Sequence, residues 1–129
     1  MSVLTAAVGI IAVVVLNGCA SEVVRYPTNL AANGSPTARH YVLKRTTTLR
    51  LDSGYDRTSQ SGTEFVEYGS ITQGTVIKPT NTVVTVEGAH MHEAYPVLAL
   101  NKIVGFYLPV EHAFTPVHDT LTVLIEERK

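Results

Sequence analysis

The sequence has no tryptophan, a single cysteine, and no charged side chain before Glu22. Each shortage excludes something. One cysteine cannot form an intramolecular disulfide, so packing alone must hold the folded part together. Charged residues make up only 16% of the chain and balance to a net charge of -1, which leaves no basic surface for nucleic acid. After the hydrophobic N-terminus no segment shows ten residues at helical spacing with start and stop signals, so a helical bundle is excluded. There is no Gly-x-Ser-x-Gly elbow and no glycine loop leading into a helix to cradle phosphate. Glu64, Glu67, Glu87, Glu93, Glu111 and Asp119 are scattered at ordinary strand-surface spacing, and no pair is selected for acid/base work. The chain therefore reads as a protein that is not an enzyme.

What is present begins with the charge-free N-terminus, where Val3 to Leu16 is apolar apart from Thr5 and Gly9. A membrane-spanning helix needs about 20 apolar residues, whereas a secretory hydrophobic region needs roughly 7–15. The run ends in Leu16-Asn17-Gly18-Cys19. This string resembles the lipobox of bacterial lipoprotein precursors through Leu16, Gly18 and Cys19, with Asn17 a departure. A second departure is the lack of Lys or Arg at the front. The resemblance implies cleavage between Gly18 and Cys19, a diacylglycerol thioether on the Cys19 thiol, and an acyl chain on the new amino group. Ala20 and Ser21, where an Asp would favour the inner membrane, imply an outer-membrane lipoprotein facing the periplasm. An uncleaved anchor or a buried core helix, with Cys19 an ordinary thiol, is the alternative reading.

The expected organisation is a signal peptide over 1–18, a lipid-anchored tether over 19–39, and a small β domain over 40–129. Pro27, Gly34, Pro36 and two asparagines among few apolar residues suit a flexible tether. About 20 such residues have a mean span of roughly 25 Å and an extended reach of about 65–70 Å. Alternatively, Val23, Val24 and Tyr26 pack on the domain as an arm.

From His40 onward the pattern is period two and rich in β-branched residues. Tyr41 to Leu51 reads as a first long strand. Gly69, Gly74, Asn81 and Gly88 punctuate shorter ones. A hairpin turns at Asn101-Lys102, Pro109 to Val117 reads as a crossover, and Thr120 to Glu126 closes the chain as a strand. The expected fold is all-β with six or seven strands.

Ile71-Thr72-Gln73-Gly74-Thr75-Val76-Ile77, then Tyr95-Pro96-Val97 and Gly105-Phe106-Tyr107-Leu108, resemble bacterial Src-homology-3-like barrels. Phe106 stands where Trp is usual, and the strand from Thr120 lies beyond the standard barrel. The resemblance implies an aromatic-lined groove with Tyr55, Tyr95, Phe106 and Tyr107 as candidates for binding a peptide or cell-wall component. Each of these aromatics has the alternative of being core.

His90-Met91-His92 is a separate local signal, because residues two apart on a strand share a face and both imidazoles could approach one metal. His40, His112 and His118 are available as further ligands, while Glu93 would face away. A solvated or hydrogen-bonded pair is the competing reading. Two functions follow: a lipid-anchored envelope protein binding a protein partner or peptidoglycan without cofactor, or a periplasmic metal-binding protein using His90 and His92.

Overall fold

The computed structural model describes residues 23–32, 38–51, 56–122 and 125–128, and over these the protein is all-β and antiparallel. In chain order the strands are β1 (Tyr26–Pro27), β2 (Ala31–Ala32), β3 (His40–Leu43), β4 (Thr47–Arg50), β5 (Asp56–Ser59), β6 (Glu64–Ile71) and β7 (Gly74–Pro79). They continue with β8 (Thr85–Glu87), β9 (Met91–Glu93), β10 (Tyr95–Ala99), β11 (Lys102–Leu108), β12 (Ala113–Thr122) and β13 (Ile125–Arg128). Nine form one sheet in the order β1-β12-β11-β10-β7-β6-β3-β13, with β2 beside β6. The pairs β4-β5 and β8-β9 are separate ribbons.

This sheet corrects the expectation of a six- or seven-stranded barrel. A barrel needs hydrogen-bonded pairing all the way round, and among the described residues β13 pairs with β3 but with neither β12 nor β1, so the sheet is open. It is nonetheless strongly rolled. Only residues 28–30 separate β1, on the outer edge of β12, from β2 on β6. In a flat sheet β12 and β6 would lie about 19 Å apart, whereas the four steps from Pro27 to Ala31 reach at most ~14 Å. Three register irregularities, at Glu67/Gly69, Val97/Leu98 and Ile103/Gly105, add the local bend and twist that rolling requires.

Rolling gives each face its own apolar cluster. Residues two apart on a strand share a face, so Phe106 and Leu108 join Leu43, Leu51, Phe65, Ile77, Val86 and Val117 on one side. Tyr107 and its cross-strand partner Phe114 join Ile71, Val76, Tyr95 and Val97 on the other. Gly105 makes the second packing possible. A Cβ there would fall 2.5–2.6 Å from Phe114 ring atoms and collide with the Thr115 carbonyl oxygen, so only glycine lets that ring lie across β11.

Three local readings change. The stretch Tyr41 to Leu51 is two strands, because Lys44 to Thr46 bend away. Ser61 secures the bend: its N–H donates to Thr46 Oγ1 (3.0 Å) and its hydroxyl to the Lys44 carbonyl (3.2 Å). Leu43 and Leu49, both buried, thus sit in different ribbons. The expected crossover from Pro109 is a four-residue turn followed directly by β12, whose Pro116 is tolerated opposite Gly105, where the ladder is already irregular. The hairpin turns at Leu100-Asn101, one residue early, with both residues at positive φ (52° and 64°).

The segment expected as a tether does not hang free over 23–32. Val23 is 4% exposed within the first cluster, Thr28 N–H donates to the His112 carbonyl (3.0 Å), and Leu30 packs on the second cluster. Apolar residues are few there, but Val23 and Leu30, with the Thr28 backbone hydrogen bond between them, hold the segment to the sheet. Residues 1–22, including the expected signal helix, Gly18 and Cys19, lie outside the described residues.

Candidate functional site

The β8-β9 ribbon brings His92 opposite Val86, facing the core. His92 is 6% exposed, and its Nδ1 lies 2.6 Å from Glu111 Oε2 in the turn between β11 and β12. The pair ties the ribbon to that turn, where His112 adopts φ 53°. Glu111 Oε1 is buried without a hydrogen-bond partner.

The His-x-His spacing does not produce two equivalent imidazoles. His90 is exposed in the bend before β9, where Gly88 N–H donates to its carbonyl (3.0 Å), while His92 is turned inward. Glu93 is exposed. Among the described residues no three His, Cys, Asp or Glu side chains are grouped to hold a metal.

The four candidate aromatics separate similarly. Tyr55 lies outside the described residues. Phe106 is 1% exposed in the first cluster, so it is packing. Tyr95 and Tyr107 are buried in the second cluster and lie beside Tyr68, which the sequence reading had not singled out. The Tyr68 and Tyr95 rings meet edge-on at 5.2 Å, and Lys78 Nζ stands 5.7 Å and 5.8 Å from their centroids. The Tyr95 hydroxyl donates to Glu93 Oε2 (3.4 Å), and the Tyr107 hydroxyl lies 3.5 Å from His112 Nδ1. Burial pushes the Tyr95 phenol up to about 12, reinforced by the charge of Glu93, and burial raises Tyr107 as well. Both phenols stay neutral, and their rings fill the sheet rather than line an open groove.

An open site does exist elsewhere, beside the edge strand β13. A cleft of about 470 Å³ runs between Arg39 and Tyr41 on the β3 side, Ile125 and Glu127 on β13, and Leu98 and Leu100 on the β10-β11 hairpin. Its size is in the range of ordinary ligand pockets. One wall is charged: Arg39 Nε is 3.9 Å from Glu127 Oε2, and hydrogen bonding to Tyr41, then Glu127's charge, hold the guanidinium firmly protonated. The other wall carries Leu98 and Leu100 together with the polar Thr75 and Asn101. Among the described residues β13 has β3 on one side only, so its outer edge offers backbone hydrogen-bonding groups beside this cleft.

Leu100 is the anomaly of the cleft. It is 94% exposed at the hairpin tip with φ 52°. The first position of such a tight turn favours Asn, Asp or Gly, and a leucine there gains nothing from burial. Sequence reasoning missed it because the turn was placed one residue later. No family model, curated protein or solved structure is similar to this chain, so the reading rests on its own residues.

Proposed function

We propose that this protein is a lipid-anchored envelope protein, held through Cys19, whose β domain is a non-enzymatic binding module for a protein or cell-wall partner. The observation that carries the binding half is Leu100, strained and fully presented beside a cleft that borders an unpaired strand edge. Backbone strain at an exposed apolar residue has no folding benefit here and is typical of positions kept for contact. The partner that suits the cleft is an extended chain adding to β13, with an apolar side chain entering between Leu98, Leu100 and Ile125. The anchoring half is supported by the charge-free hydrophobic run ending at Gly18-Cys19. Anchoring in a thin layer also raises the effective concentration for partners there.

The test is photo-crosslinking from position 100 in intact envelopes, compared with position 83, where Val83 is also exposed at 67%. A discrete adduct from position 100 alone, lost in Tyr41→Ala, supports the module. Equal, diffuse labelling from both positions argues against it.

A further inference from the structure

Val23 is fixed in the first apolar cluster at 4% exposure, and Cys19 lies only four residues before it. Four residues reach at most ~14 Å. A chain lipidated at Cys19 therefore cannot let its domain float a tether's length from the bilayer. The surface around Val23 is thereby held within about 14 Å of the lipidated residue.

That surface has matching chemistry. β1 is an edge strand whose outer side carries no neighbour among the described residues. Val24 is 37% exposed and Tyr26 52%, although most apolar side chains of the strands are inside. Between them Arg25 is exposed and makes no ion pair among the described residues. An aliphatic residue, a guanidinium and a phenol in succession suit a bilayer interface. The phenol sits at headgroup level, and the cation is attracted to anionic phosphate.

We infer that the start of the β1 edge, through Val24 and Arg25 just before the strand and Tyr26 at its first position, lies directly on an anionic phospholipid surface, so that the anchor orients the domain as well as tethering it. This deepens the lipid-anchor reading and rests on it. Leu100, at the end of β11 away from the β11-β12 turn, is a different surface and remains available to a partner.

The test uses the full chain purified with its lipid and reconstituted into phosphatidylethanolamine–phosphatidylglycerol vesicles. A polarity-sensitive fluorophore is placed at Asn29→Cys, beside the patch, or at Leu100→Cys, and a headgroup-borne quencher is included in the bilayer. Both positions are exposed, so labelling leaves packing intact. The expected result is quenching several-fold stronger at position 29 than at position 100. In the lipidated protein Arg25→Glu should weaken the quenching at position 29 several-fold while leaving that at position 100 unchanged. Lipidated protein quenched equally weakly at both positions would overturn the orientation while leaving the anchor intact. Protein whose intact mass shows no lipid would overturn the anchor itself.

Discussion

Replacing Leu100 by Asn should make the protein more stable and less able to bind. The leucine backbone sits at φ 52°, and the following Asn101 at 64°. A left-handed conformation costs an ordinary side chain roughly 1–2 kcal/mol, much of which Asn avoids through local hydrogen bonding. Loss of burial is negligible because the side chain is 94% exposed. The net gain is therefore about 0.5–1.5 kcal/mol. For a domain of this size that corresponds to a rise of roughly 3–8 °C in Tm. Urea titrations and thermal melts of the two proteins give the number directly. Loss of the position-100 crosslink partner in the same variant would tie the strain to function. A variant less stable than the parent would refute the reasoning, since it would mean that Leu100 is packed or that its turn is unstrained.

Other consequences follow from the same contacts. His92→Ala leaves the Glu111 carboxylate, half enclosed and already short of one partner, with nothing in its place; the loss should be about 1–3 kcal/mol in urea, and unchanged stability would mean the tie is idle. Tyr95 holds its proton more tightly folded than unfolded, so its contribution is complete below pH 10.0 and is lost as pH rises towards about 12. Stability should fall across that window by up to ~2–3 kcal/mol, and Tyr95→Phe should flatten the decline when denaturant midpoints are followed with tyrosinate absorbance. Gly105→Ala must displace the Phe114 ring and should cost about 1–3 kcal/mol; near-ultraviolet circular dichroism would report the moved ring, and an unaltered spectrum would contradict the packing.

The sequence made the all-β character legible because alternation and β-branched residues recur from His40 onward; Gly74 opens β7 and Gly88 follows β8, whereas Gly69, expected as a break, lies inside β6 at a register irregularity. Closure was not legible. Period-two patterns identify faces but not whether β12 and β13 pair, and a sheet with apolar residues on both faces gives no sign of which face is inside. The bend at Lys44 to Thr46 was foreshadowed by the polar gap between Leu43 and Leu49, yet only the Ser61 hydrogen bonds explain why the chain turns there. The His-x-His spacing was correct geometry on a strand, but β9 starts at Met91, leaving His90 in the preceding bend. Tyr95 and Tyr107 were noticed as aromatics, while Tyr68 and Lys78, their packing partners, lie far away in sequence and were invisible. The cleft was illegible for the same reason: Tyr41, Leu100 and Glu127 meet only because the sheet rolls. Val23 carried too little signal in a sequence of prolines and asparagines, although it determines how far the domain can stand from Cys19.

The claim that fixes where the domain works is the anchor, and intact mass spectrometry of the protein from a bacterial membrane fraction, beside its Cys19→Ser variant, tests it most directly. Loss of residues 1–18 with added acyl chains, both absent in the variant, is the predicted result. A full-length chain carrying no lipid would contradict the account, leaving Cys19 an ordinary thiol and the β1 edge without a bilayer to rest on.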